Sequence, residues 1–263
     1  MGNVLVIGGG PTGLTAAMKL AGLGASVTVL ERDPAAMPDT PAEAWERWER
    51  RAVAQFRQIH YLQPAGRWAL EEHVPAVVDE LRDVGAIELH PDVLFSAPEP
   101  DPVPDPQYAT LTTSRRPVLE LAFARAAANT PGVEVRRGAI VEGLVTGPEV
   151  IPGVPHVRGV RLADGETLLA DLVIDASGRR SAVGDMLVDA GAKEMATEST
   201  ELGFVYTTRY YRGELPEYRS DMLTPLGCIS ALTIHGDDHT WGATLYSHPA
   251  DKAFRNLRDP EVF

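Results

Sequence analysis

The chain has 263 residues, 44% of them hydrophobic, which is enough for one large or two ordinary domains with a genuine core and gives no sign of disorder. Lys and Arg number 24 against 37 Asp and Glu, a net charge of −13. That balance disfavours nucleic acid and anionic membrane as partners and otherwise serves solubility. Cys228 is the only cysteine, so neither an internal disulfide nor a Cys-x-x-Cys dithiol is available. No run approaches the ~18 apolar residues of a membrane span. The first strand begins at residue 3 or 4, so no signal peptide is expected and a cytoplasmic location is the default.

Val4-Leu5-Val6-Ile7 reads as a short strand covered on both faces, as in a parallel sheet. Gly8-Gly9-Gly10-Pro11-Thr12-Gly13 follows, then an apolar-periodic helix whose Leu14, Ala17, Met18 and Ala21 share one face, with Gly24 as its stop. Ser26 to Leu30 is a second strand, ending on Glu31 and Arg32. In such a βαβ unit Gly8 permits the tight turn, Gly10 lets the backbone approach a pyrophosphate, and Gly13 lets the helix pack on the strand. The helix N-terminus offers N–H groups and partial positive charge to phosphates. Glu31 lies 18 residues beyond Gly13, close to the roughly 20 expected of an acid that bonds a ribose hydroxyl. It also argues against a 2′-phosphate in the pocket, since two negative groups would repel.

Pro34, Pro38 and Pro41 break the backbone, and Trp45 to Arg51 is either a short helix or a surface loop with no chemistry assigned to it. Gln55, Arg57 and His60 precede a long helix over 66–81 that should break at Pro75 and bury Leu70, Val74, Val77, Val78 and Leu81. Arg57 either meets a phosphate or ring edge or is a solvated arginine. Proline at every second position from 98 to 106 forbids helix and reads as a stiff surface loop or a flap over a site. A strand then leads to Ser114 as N-cap of a helix with Pro117 in its first turn and Leu119, Phe123 and Ala126 or Ala127 inward. Gly132 to Gly138 is a strand, and 140–145 continues extended. Residues 156–162 and 166–174 read as a hairpin about Asp164-Gly165. Its second arm runs into Asp175-Ala176-Ser177-Gly178, where small residues at a strand end either admit a ligand or make a plain strand-to-helix turn. From Glu201 onward β-rich segments at 204–212, 228–234 and 240–246 suggest a second domain with an antiparallel sheet, His235 to Asp238 turning between the last two.

Together these segments resemble the FAD-dependent monooxygenases of the p-hydroxybenzoate hydroxylase type, and more nearly a bacterial group of FAD-binding hydroxylase- and epoxidase-like oxidoreductases. The resemblance implies an α/β fold: a Rossmann-like FAD-binding domain over 1–190, with an insertion at about 61–107 towards the substrate side, and the start of a β-rich substrate domain over 191–263. It implies that Gly8, Gly10, Pro11, Thr12 and Gly13 hold the FAD pyrophosphate and that Glu31, with Arg32 beside it, binds the adenosine ribose. It implies that Arg116 of Arg116-Pro117-Val118-Leu119 lies near the flavin, that the strand ending at Val141 offers its backbone to adenine, and that Arg57 and His60 sit near the cofactor. Asp175, Ser177 and Gly178 complete the set, and no metal is expected.

Two departures stand out. The hydroxylase pattern has Asp-Gly where this chain has Ser177-Gly178, and arginine where this chain has Gly184. That puts direct use of NADPH in doubt, with Asp175 placed to take over part of the role. Nothing after Leu187 matches the family's late Gly-Asp motif, so the chain is expected to stop inside its second domain. The activity implied is hydroxylation or epoxidation of a small apolar or aromatic molecule through a flavin hydroperoxide, with NAD(P)H or a separate flavin reductase as electron source. The alternatives are an O₂-independent flavin reductase or dehydrogenase on the same fold, and a fragment that binds FAD without turnover.

Overall fold

The computed structural model describes residues 2–89, 110–200, 203–217 and 223–263. The proline-rich stretch 98–106 lies outside them. At the centre is a parallel sheet of β1 (Asn3–Ile7), β2 (Ser26–Glu31), β6 (Val133–Arg137) and β10 (Leu172–Asp175), in the order β10-β1-β2-β6. Side chains alternate between its two faces, and both faces are covered. Val4, Val6, Val27 and Val29 pack against Leu14, Ala17 and Met18 of α1 (Pro11–Gly22) and against Leu119, Ala122, Phe123 and Ala126 of α5 (Arg116–Ala128). Leu5, Ile7 and Leu30 face the other way, onto Val160 and Leu162 of β8 (Val154–Leu162), which lies in an antiparallel sheet between β7 (Val141–Ile151) and β9 (Thr167–Leu169). Four consecutive apolar residues in β1 are thus what a strand between a helical layer and a second sheet requires.

The expected helix over 66–81 is two helices, α3 (Pro64–His73) and α4 (Pro75–Asp83), separated at Val74, because Pro75 cannot donate to the preceding turn. Leu70, Val74, Val77, Val78 and Leu81 are all buried. The 45–51 segment opens as a short helix, α2 (Pro41–Glu46), whose Glu43 N–H is capped by the Thr40 hydroxyl. The expected hairpin arm over 166–174 is divided: β9 pairs with β8, and the chain then crosses at Ala170–Asp171 so that β10 joins the parallel sheet beside β1. Ser114 does not cap α5. It ends inside β5 (Leu111–Arg115), Arg115 holds the cap position, and the Ser114 hydroxyl bonds the Arg115 carbonyl instead.

β5 lies between β3 (Ile59–Leu62) and β4 (Ile87–Leu89) in a small antiparallel sheet. A four-stranded antiparallel sheet follows, ordered β11 (Val205–Arg212), β14 (Thr240–Ser247), β13 (Ile229–His235), β12 (Leu223–Leu226). The two sheets share a core of Leu89, Leu111, Leu232 and Ile234, flanked by Ile59, Tyr61, Ile87 and Tyr246. Among the described residues no helix is long and apolar enough to cross a membrane.

Candidate cofactor site

The site lies where ligands bind in open α/β sheets, beyond the carboxyl ends of the parallel strands. Its three motif glycines face three different surroundings. Gly8 has φ +107°, and a Cβ there would lie 2.5 Å from the Ala176 carbonyl oxygen, so the turn nests against the end of β10. A Cβ on Gly13 would fall inside van der Waals contact of the Gly8 carbonyl oxygen, which holds α1 tight on the loop. Gly10 differs: nothing lies within 4 Å of its Cβ direction. Its carbonyl accepts the first α1 hydrogen bond, from Leu14 N–H at 3.0 Å, while among the described residues the N–H groups of Gly10 and Thr12 have no partner. Pro11 occupies the first helical position, where its missing N–H costs nothing, and Thr12 is exposed. An open face, two free N–H groups and a positive helix end suit a pyrophosphate and fit the expectation for FAD.

Glu31 is buried at the tip of β2 and turned toward the loop, not toward solvent. Its Oε2 accepts the Gly9 N–H at 2.8 Å and an N–H of Arg50; its Oε1 accepts the Asp33 N–H at 2.9 Å. A carboxylate offers about four lone-pair directions, so one acceptor direction on Oε1 is left over. Arg32 is exposed beside it.

Arg50 received no role from the sequence, yet it is the most connected side chain here. Its guanidinium bonds Glu31, Glu120 and, at 3.1 Å, the Gly9 carbonyl, with Nε 3.7 Å from Asp33 Oδ2. Burial alone would pull this guanidinium down, but Glu120, Glu31 and Asp33 outweigh that and hold it above its ordinary value. Arg137, beside Glu31 in the β2–β6 register, is held below the usual guanidinium value by burial and by the Arg50 charge. The available signal for Arg50 was Glu120: an acid inside the otherwise apolar run from Pro117 to Phe123 ends 1% exposed, and a buried acid demands a cation.

Arg116 opens α5 and gives its Nε–H to Glu120 at 2.7 Å, the only hydrogen bond of its side chain among the described residues. Arg57 is placed otherwise than as a free phosphate or ring contact: its guanidinium bonds the carbonyls of Trp45 and Trp48 and lies over the Trp45 ring. It clamps the segment after α2, and burial, with Arg115 nearby, lowers its pKa. The two ring nitrogens of His60 lie 3.0 Å from Gln55 Oε1 and 3.2 Å from the Gln58 carbonyl, and the neutral ring donates its one N–H to one of these oxygens. Burial and then the Arg116 charge push its pKa to about 4, so it is neutral near pH 7.

Val141 is not the end of the strand that follows α5. That strand, β6, stops at Arg137, Gly138 turns at φ +75°, and Val141 begins β7 in the covering sheet, opposite Leu162. Asp175 ends β10 and accepts three hydrogen bonds, from the Ser177 N–H and from the hydroxyls of Ser177 and Ser181. Burial would raise its pKa, but these bonds outweigh it and lower it. Gly178 has φ +90° and open space around it.

A family model described as FAD binding domain matches residues 1–209. The chain belongs to this FAD-binding family. Among curated proteins, Protein Rv3254 of Mycobacterium tuberculosis is 27% identical to this FAD-binding chain over 225 residues, 80% of the chain and 45% of that protein. Among solved structures it is similar to PqsL, a probable FAD-dependent monooxygenase from Pseudomonas aeruginosa, with TM-score 0.66 and 17% identity over 94% of the chain and 60% of PqsL. It is equally similar to p-nitrophenol 4-monooxygenase PnpA from Pseudomonas putida DLL-E4, with TM-score 0.66 and 19% identity over 99% of the chain and 62% of PnpA. The FAD-binding chain therefore spans just under half the length of the curated relative and less than two thirds of either structural neighbour.

Proposed function

We propose that this chain is the FAD-holding part of a flavin-dependent monooxygenase that acts on a small apolar or aromatic molecule. The observation that carries the reading is the contrast among the glycines. The fold itself accounts for Gly8 and Gly13, whereas the open space over Gly10, at the start of α1, leaves room for a ligand to approach the backbone. The free N–H groups of Gly10 and Thr12 would hold the pyrophosphate, the remaining acceptor direction of Glu31 a ribose hydroxyl, and Arg116 the region toward the flavin. Asp175, Ser177 and Gly178 would border the pyrophosphate from the neighbouring strand, against which Gly8 nests.

FAD, when bound, supplies the redox and oxygen chemistry; the protein supplies position, polarity and exclusion of water. Support for the substrate class comes from the neighbours: PnpA is named for p-nitrophenol, and PqsL has been solved with 2-aminobenzoylacetate. On this reading residues 1–190 hold the cofactor and 191–263 belong to the substrate side. An exposed free thiol at Cys228 suits a reducing, cytoplasmic setting. An O₂-independent reductase or dehydrogenase is the second reading. It is favoured by Ser177 standing where the hydroxylase pattern has an acid, which also leaves NAD(P)H or a separate reductase as the electron source.

Titrating FAD into the purified protein tests the first step: the flavin fluorescence should quench with a saturable midpoint and a visible band should remain after desalting. Oxygen uptake with a reductant and a phenolic substrate separates the two activities, and product formed at the same rate without O₂ would overturn the monooxygenase reading.

A further inference from the structure

We propose that Arg50 is a positioning residue that aims the Gly10 N–H at the cofactor's pyrophosphate, acting through the Gly9–Gly10 peptide. The inference rests on the FAD reading above and goes beyond it, because Arg50 need touch no part of the ligand. In a trans peptide the C=O and the following N–H point in opposite directions. The Gly9 carbonyl is drawn inward onto Arg50 Nη1 at 3.1 Å, so the N–H of the same peptide, that of Gly10, points the opposite way, where it has no partner among the described residues. The preceding peptide is fixed in the same manner: the Gly9 N–H is drawn inward onto Glu31 Oε2 at 2.8 Å, and the Gly8 carbonyl faces α1 at Gly13. Two successive peptides of a glycine loop, otherwise free to flip, are thus oriented by one buried acid and one buried base.

Arg50 can serve this way because it is itself over-determined. It is 5% exposed and bonded to Glu31 and Glu120, and Glu120 in turn receives Arg116 Nε at 2.7 Å. The planar guanidinium fork reaches its acceptors from two nitrogens held in one plane, whereas the three donors of a lysine all sit on a single nitrogen. The alternating series Glu31, Arg50, Glu120, Arg116 also joins the ribose end of the site to the start of α5 in a region that water does not screen.

Arg50→Lys tests the idea, with FAD and ADP as probes. Expected is a loss of FAD affinity on the order of tenfold, with ADP affinity falling by the same factor, because the damage is in the half that the two probes share and not at the flavin. A folded Arg50→Lys protein with wild-type affinity for both would overturn the proposal, as would a loss seen with FAD but not with ADP. A wild-type protein that binds neither probe would instead sink the FAD reading itself. Should Arg50→Lys fail to fold, amide NMR of the wild type decides. Adding ADP should move the Gly10 amide resonance and leave that of Gly9 in place; the reverse pattern would overturn the proposal.

Discussion

Arg115 and Asp237, 122 positions apart in sequence, form a closed and almost fully buried ion pair. Arg115 Nη2 lies 2.5 Å from Asp237 Oδ2, its Nε lies 3.1 Å from both carboxylate oxygens, and its backbone N–H reaches Oδ1 at 2.9 Å. The pair ties the N-cap of α5 to the β13–β14 turn, where Asp238 and His239 adopt positive φ. The Arg115 guanidinium also lies over Trp45, whose ring meets Tyr210 of β11 at 4.8 Å. One buried pair therefore pins the four-stranded sheet to the nucleotide-binding layers.

Removing one partner strands a buried charge, which typically costs about 3–5 kcal/mol. Asp237→Ala should therefore lower stability by roughly that amount, with Asp237→Asn less severe because the amide oxygen still accepts from Arg115. Denaturant unfolding followed by tryptophan fluorescence checks this. Unchanged midpoints in both variants would show that the pair contributes nothing net.

Gly10→Ala and Gly13→Ala separate binding from folding. Gly10 has φ −84° and an empty Cβ direction, so alanine should leave the thermal midpoint of the cofactor-free protein unchanged while weakening FAD about tenfold or more by blocking the approach. Gly13→Ala drives a methyl into the Gly8 carbonyl and should destabilise the protein itself by about 2 kcal/mol. Equal effects of the two variants on unfolding would contradict this assignment of the glycines.

Glu31 has one acceptor direction left, so it should serve a single ribose hydroxyl. Binding of ADP should be weakened by removing either the 2′- or the 3′-hydroxyl, but not both by comparable factors. Calorimetry with the two deoxy analogues measures it. A 2′-phosphate on the same ribose should abolish binding, given the buried negative charge beside it.

His60 makes stability depend on pH with a definite sign. Its folded pKa of about 4 lies below the unfolded value near 6.5, so the unfolded chain binds more protons between them. Its neutral form contributes fully above about pH 6.5. As pH falls toward 4, the folded state loses up to about 3 kcal/mol relative to the unfolded one. His60→Gln should flatten the acid limb of a stability–pH profile, and a profile of unchanged slope would rule out this origin.

The first 31 residues were legible because each physical requirement there is local: strand, turn, helix and acid follow one another in sequence. The break at Pro75 and the strands β11, β13 and β14 were legible for the same reason, whereas the short β12, Leu223–Leu226, was not. Arg50 was not, because Arg47, Arg50 and Arg51 are indistinguishable by spacing and only tertiary packing decides which one is buried. Ser114 looked like a cap by type, but its hydroxyl lies between the Arg115 carbonyl at 3.1 Å and, at 3.3 Å, the Asp237 carboxylate contributed by a distant turn. Val141 was misplaced because nothing local shows that the chain leaves one sheet at Gly138 and enters another.

The partner of Ile7 in the central sheet is Asp175, and the wall behind Gly8 is Ala176 and Ser177. The turn at Gly8 and the residues that wall it therefore come from segments far apart in the chain, and neither is in place until β10 has paired beside β1. Closing that turn waits on a strand pair of high sequence separation, the kind of contact that folding makes slowly.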